Sequence, residues 1–261
     1  MGASGQLGSE IFDRQALHST YSFIFLKKGD LDISSYSELE TYFEDSNIDV
    51  VINCAAYTNV AQAELERDKA DAANFLGVKN LATMARERAI KLIHISTDQF
   101  YNGKKIKKSN ENSKIFLINN YCKHKRMSEI TCIKNNAIVL RTNFFGKSLS
   151  KNKSFSDWVI NAFKSKKKIY LFDDVYFNPL RISTVVKILS IIIKKELYFN
   201  KGIYNLGSKD GIFKNDFATL IARKMRIFHN NYINININKL LKVNIINWEV
   251  GLASFLDSFH G

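Results

Sequence analysis

Tyr121 and Lys125 lie four residues apart in a stretch that reads as helix, so their side chains share one face. A phenol with an ordinary pKa of about 10 is a poor proton donor or base at neutral pH. A lysine cation a few ångströms away would favour phenolate and lower that value. Such a tyrosine can protonate a carbonyl oxygen while hydride reaches the carbon, and the lysine can also hold a nicotinamide ribose. Upstream, Ser96-Thr97-Asp98 closes an apolar run. Thr97 should therefore present its hydroxyl at the carboxyl edge of a sheet, where ligands bind, and orient the substrate oxygen. The chain opens with Gly2-Ala-Ser-Gly5-Gln-Leu-Gly8. Glycines spaced by three permit a tight turn, close approach to a pyrophosphate and close packing of the next helix. That helix would point its free N–H groups at phosphates.

A second Tyr-x-x-x-Lys pair, Tyr101 and Lys105, contains the turn signal Asn102-Gly103 and starts four residues past Thr97. It cannot easily return to the same site as a helix, so Tyr121 is the expected acid. Asn74 is a weaker candidate for a proton relay, an amide on a helix face being more often structural. Cys122 and His124 read as bystanders, and His94 as packed within a strand. No His, Cys and carboxylate cluster has metal-ligand spacing. After the second strand come Lys27-Lys28, with no acid until Asp30. A base there tolerates a ribose phosphate, so NADPH is the expected cofactor, with NADH allowed.

To position these groups, apolar runs rich in β-branched residues alternate with helical patterns, which predicts a parallel sheet covered on both faces. Strands are expected at Phe23–Leu26, Asp49–Cys54, Leu92–Ser96, Ala137–Arg141 and Ile169–Phe172, with a short one at Gly202–Leu206. The almost wholly apolar run from Asp49 suits a strand buried on both sides. Helices are expected near 6–17, 35–45, 67–89, 120–135, 154–165, 183–196, 214–227 and 249–259. Ser35 and Glu38 have capping-box spacing. Pro179, the sole proline, marks a turn, and residues 228–245 alternate polar and apolar. The strand that should precede a glycine loop is missing, since only Met1 comes before Gly2. A chain with further upstream residues is expected to be more soluble.

The 261 residues are 46% hydrophobic and 24% charged, which suits a folded core. No apolar run approaches a membrane span, and the glycine loop leaves no room for a signal peptide. Three cysteines at unpatterned spacing argue against a disulfide framework, so a cytoplasmic protein is expected. The net charge of +13 is uneven: residues 1–90 carry 8 basic and 14 acidic side chains, the remainder 30 and 11. The lysine runs lack any zinc spacing or aromatic-basic RNA motif, so no nucleic-acid partner is expected. Positive potential instead favours anionic small molecules such as nucleotide sugars. A homodimer is allowed.

Together these segments resemble the extended short-chain dehydrogenase/reductases, and within them the dTDP-4-dehydrorhamnose reductase family. The matching stretches are Gly2–Gly8, Asp30-Leu-Asp-Ile33, Asn53-Cys-Ala-Ala-Tyr-Thr58, Ala63-Glu64, Asn74 to Ala82, His94-Ile-Ser-Thr-Asp98, Tyr121 to Glu129 and Leu140-Arg-Thr142. The resemblance implies an α/β, Rossmann-type doubly wound sheet over 1–146 and a small substrate region over 147–261. A segment near 183–206 would return to the first domain. It implies NAD(P)H reduction of the 4-keto group of a nucleotide-linked deoxysugar, with Thr97, Tyr121 and Lys125 catalytic. Gly2, Ser4, Gly5, Gln6 and Leu7 would cradle the pyrophosphate. Lys27, Asp32 and Ile33 would lie on the adenosine side, and Ala55, Ala56 and Tyr57 on the nicotinamide side. Thr58, Thr97, Asp98 and Phe144 would touch the sugar.

Three departures from the family pattern bear on sugar identity. Ala61 replaces an aspartate, Asn143-Phe-Phe-Gly146 lacks a tryptophan, and Phe177-Asn-Pro-Leu180 replaces Gly-x-Pro-Thr. The alternatives are an epimerase or dehydratase of the same superfamily, or an NADP-binding regulatory subunit like methionine adenosyltransferase β.

Overall fold

The structure is a computed structural model that describes residues 1–14, 21–101, 109–148, 154–166, 169–173 and 175–227. The expected helix at 249–259, the alternating stretch 228–245 and Lys105 fall outside the described residues. The chain divides into two compact units: residues 1–101, 109–142 and 186–206 form the first, and 102–108, 143–185 and 207–261 the second.

The first unit holds a four-stranded parallel sheet. In chain order its strands are β1 (Val50–Asn53), β2 (Lys91–Thr97), β3 (Ile138–Thr142) and β7 (Gly202–Leu206), and they are also neighbours in that order. Parallel neighbours need crossover connections. These are α3 (Val60–Leu65), α4 (Arg67–Asp71) and α5 (Gly77–Glu87) between β1 and β2, and α6 (Asn120–Lys134) between β2 and β3. Part of α8 (Ile182–Lys194) precedes β7. Two helices come before the sheet, α1 (Gln6–Asp13) and α2 (Tyr36–Glu44). The core joins Leu39 and Phe43 of α2 to Val51, Val78, Leu81, Met84, Leu92 and Val139. Register places Thr97 opposite Thr142 at the carboxyl ends of β2 and β3.

Several elements depart from expectation. Phe23–Leu26 forms no strand; the Leu26 carbonyl accepts from Ala3 N–H at 3.0 Å, and the Phe25 ring packs edge-on against Phe12. β1 is not buried on both faces: Val51 and Asn53 are inside while Val50 and Ile52 are half-buried. Among the described residues β1 is the last strand of its ladder, and beyond it the Met1 carbonyl accepts from Cys54 N–H at 3.2 Å. The single helix expected over 67–89 is interrupted by a π turn at Ala72–Leu76 between α4 and α5. At α2, Ser35 accepts from Glu38 N–H, but the Glu38 carboxylate binds Asp32 N–H at 3.0 Å, so the capping box is only half made.

The second unit pairs β4 (Phe144–Phe145) with β6 (Leu180–Arg181) in parallel, and β5 (Tyr176–Phe177) with β8 (Ile212–Phe213) antiparallel. Its core packs α7 (Phe155–Lys164) near α9 (Lys214–Lys224), with Phe145, Phe155 and Phe177 all within ring contact of Phe217. Ser154 and Asp157 make a full capping box at the start of α7. The strand expected at Ile169–Phe172 does not form. Ile169 alone is buried there, while Tyr170 and Phe172 are exposed.

Candidate active site

The first turn of α6 sets the tyrosine. Asn119 caps the helix by accepting from Cys122 N–H at 2.8 Å, which contributes about 1 kcal/mol. The Glu64 carboxylate of α3 accepts from Asn120 N–H at 2.6 Å and from its side-chain amide at 2.8 Å. A carboxylate at a helix N-terminus is also favoured by the macrodipole. Tyr121, one residue further on, is therefore held in place, and it is buried against Phe100 and Cys122. The Thr97 hydroxyl faces its phenol and favours the phenolate.

Burial pushes the Tyr121 pKa up to about 12, the Thr97 hydroxyl pulls it back in part, and Cys122 and Asp98 push it up again. This corrects the expectation of a lysine-acidified phenol. Lys125 is fully buried and its amino group is committed elsewhere. Nζ donates to the Ile95 carbonyl at 2.6 Å and lies 3.1 Å from His94 Nε2. Burial lowers the Lys125 pKa to about 8 against partial support from Cys132, Glu129 and Cys54. Thr97, Tyr121 and Lys125 thus gather at the end of β2, with Tyr121 in direct contact with Thr97 and Lys125 tied to the backbone of the same strand.

His94 is packed within β2, as expected, whereas its neighbour Asn53 was not singled out. Both are fully buried, and Asn53 Nδ2 lies 3.2 Å from His94 Nδ1. Asn74 is structural: its amide accepts from Tyr57 N–H at 2.8 Å and donates to the Tyr57 carbonyl at 2.9 Å. Its own carbonyl accepts from Ser128 Oγ. The π turn thereby clamps the Ala55–Thr58 segment beside β1. The Tyr57 hydroxyl donates to Glu66 at 2.8 Å. Thr58 is exposed and Asp98 half-buried. Tyr101 is likewise structural, accepting from Arg141 Nη1 at 2.8 Å and donating to Asn205 at 2.8 Å.

The glycine turn fits a dinucleotide. Gly2 has φ +75°, and a Cβ there would lie 2.6 Å from Ala55 N. A Cβ on Gly8 would lie 2.3 Å from the Gly2 carbonyl, so the turn and α1 pack closely. Gly5 is the N-cap of α1 and supplies no side-chain cap, which leaves the helix end open to an anion. Ser4 is exposed and Gln6 half-buried, while Leu7 and Ile33 turn their side chains into the core and the Ile33 carbonyl accepts from Asn80 Nδ2 at 3.4 Å. Asp30 accepts from Lys27 N–H at 2.8 Å, and Lys28 Nζ sits 3.3 Å from Asp32, so Lys27 keeps an exposed side chain. Ala55 and Ala56 are half-buried next to Gly2. Phe144 belongs to the second unit and is half-buried on β4. No helix among the described residues is long and apolar enough to cross a membrane.

A family model described as the RmlD substrate binding domain matches residues 1–244. A spore coat polysaccharide biosynthesis protein, SpsK, of Bacillus subtilis (strain 168) is 29% identical over 85% of this chain and 77% of its own. A dTDP-4-dehydrorhamnose reductase of Aggregatibacter actinomycetemcomitans is 28% identical over 84% and 76%. Among solved structures, a dTDP-4-dehydrorhamnose reductase from Bacillus anthracis str. Ames in complex with NADP superposes with a TM-score of 0.84. It is 24% identical, over 98% of this chain and 97% of the other, and it establishes the Rossmann-type fold.

Proposed function

The chain belongs to the RmlD substrate binding domain family, and from that premise we propose that it reduces the 4-keto group of a nucleotide-linked deoxysugar. The observation that carries this reading is the buried Tyr121 phenol facing Thr97 at the carboxyl end of β2, with Lys125 buried one helical turn further on. Gly2, Ser4, Gly5, Gln6 and Leu7 would hold the pyrophosphate of NADPH, with Lys27, Asp32 and Ile33 on its adenosine side and Ala55, Ala56 and Tyr57 on its nicotinamide side. When bound, that cofactor supplies hydride to the keto carbon.

Thr97 fixes the keto oxygen, and Tyr121 transfers its proton to that oxygen as negative charge develops. An alkoxide is a stronger base than a phenolate even when the phenol sits at about 12, so the transfer runs downhill. The epimerase and dehydratase alternatives would need oxidised cofactor retained on the same residues. Those reactions open with proton removal from a sugar hydroxyl, and a base must already be deprotonated to start. Thr58, Asp98 and Phe144 are the proposed sugar contacts. A nucleotide sugar whose carrier is dTDP, as the names of the relatives state for theirs, is the first substrate class to try.

The test is NADPH oxidation with a panel of dTDP-4-keto-6-deoxyhexoses, comparing wild type with Tyr121→Phe. Loss of one general acid should cost about 10²–10⁴ in rate. Turnover that survives in Tyr121→Phe at the wild-type rate refutes the assignment of the acid.

A further inference from the structure

Four buried polar groups form a line from the glycine turn to the lysine. Ala55 N–H donates to Asn53 Oδ1 at 3.0 Å. Asn53 Nδ2 faces His94 Nδ1 at 3.2 Å, and His94 Nε2 faces Lys125 Nζ at 3.1 Å. Asn53, His94 and Lys125 are each no more than 1% exposed, so water does not repair a mismatched pair.

The chemistry of the donors gives this line one direction. A backbone N–H can only donate, so the amide atom beside Ala55 must be oxygen. The other end of the amide is then NH2, which can only donate, and His94 Nδ1 must accept. A neutral imidazole that accepts at Nδ1 carries its proton on Nε2. That N–H points at Lys125 Nζ, and only a neutral amine has a lone pair to receive it. The amine meanwhile donates to the Ile95 carbonyl at 2.6 Å.

We infer that Ala55, Asn53 and His94 favour the neutral amine of Lys125, so that charging the lysine and freeing Ala55 N–H are one event. His94 and Asn53 are positioning residues in this scheme. Its relevance to turnover rests on the function proposed above, whereas the direction of the hydrogen bonds does not. To become an ammonium, Lys125 takes up one proton and donates to Nε2, and the imidazole proton moves to Nδ1. The Asn53 amide must then turn to present oxygen to Nδ1–H, and its NH2 now faces Ala55 N–H, which is released. Gly2 abuts Ala55 N so closely that a Cβ would reach 2.6 Å from it. The released donor therefore lies beside the turn proposed for the phosphates, where an anion would favour both the donor and the new charge.

The other titratable groups facing Lys125 do not reverse this. Glu129 and Cys132 on its own helix and Cys54 after β1 favour the charge, but burial outweighs all three. Glu129 is moreover engaged by Arg141 of β3, at 2.7 and 2.8 Å, and by Arg126. Lys125 is the titratable group that acts on His94, and burial, the larger cause, already keeps the imidazole neutral.

The decisive measurement needs no substrate. In the full chain labelled with 15N-histidine, long-range 1H–15N correlation of His94, identified by its loss in His94→Gln, reports which nitrogen is protonated. Above a Lys125 midpoint of about 8, read in a 13C-lysine titration of the cofactor-free protein, the Nε2–H tautomer is expected. Asn53→Asp accepts on both sides and should move the proton to Nδ1 and raise the lysine midpoint by roughly a unit or more. A wild-type His94 protonated on Nδ1, or a Lys125 midpoint above that of the variant, overturns the inference. Neither result depends on NADPH oxidation, so the reductase reading stands or falls separately.

Discussion

Lys125 on α6 and Arg141 packed against it are both buried basic side chains, at 1% and 2% exposure, and their surroundings treat them in opposite ways. Arg141 meets the Glu129 carboxylate with two parallel bonds, from Nε at 2.8 Å and Nη2 at 2.7 Å, and its Nη1 reaches Tyr101. Burial works against the guanidinium charge, but Glu129 and Tyr101 more than offset it and the pKa is raised. Lys125 has a carbonyl and an imidazole but no carboxylate, and it falls to about 8. A fixed planar fork on a carboxylate is a structural device. An amine kept near its own midpoint is of use to chemistry. The two sites share a helix, and Glu129 belongs to one of them.

The largest effect should come from breaking the satisfied pair. Glu129→Gln leaves the Arg141 guanidinium buried without a counterion and should lower stability by about 3–5 kcal/mol. Denaturant midpoints with unchanged slope would measure it. A loss below about 1 kcal/mol would show that Arg141 reaches water, and the contrast between the two cations would collapse.

Lys125 should respond to pH where Arg141 does not. Its folded pKa of about 8 lies below the ordinary 10.5, so the folded state resists the proton that the unfolded chain accepts. The penalty is fully present below about pH 8 and disappears as pH rises through 10.5. That is worth about 3 kcal/mol in total. Stability of wild type relative to Lys125→Met should therefore improve by that amount between those limits. A difference that stays flat with pH would mean the folded lysine titrates normally.

How much of this was legible depends on the range of the interaction. Gly202–Leu206 and the helix carrying Tyr121 follow from local pattern and were expected within a residue or so. Phe23–Leu26 has the composition of a strand, but a strand needs a ladder, and composition does not report the neighbour. Ile169–Phe172 is apolar throughout, yet Ile169 alone is buried, with Leu171 half-buried against the same core. The π turn at 72–76 is invisible because its extra residue is stabilised by Asn74 reaching back 17 positions to Tyr57. Chain order was enough to bring Thr97, Tyr121 and Lys125 forward as candidates. The state of Lys125 was not readable, because it is set by His94, 31 residues away in sequence, and by strand register.

The smallest perturbation sharpens the contrast most. Ser96 Oγ donates to Glu129 Oε1 at 2.8 Å, on the same oxygen that receives Arg141 Nε. Ser96→Ala removes one donor and leaves no buried group unpaired, since Glu129 keeps Arg141 and Arg126. The cost should be about 1 kcal/mol, read as a shift in the urea midpoint. The Lys125 titration should not move, because the carboxylate stays charged and paired. A shift of that titration in Ser96→Ala would mean that the pair and the amine form one electrostatic unit along α6, and the two cations could no longer be assigned separate tasks.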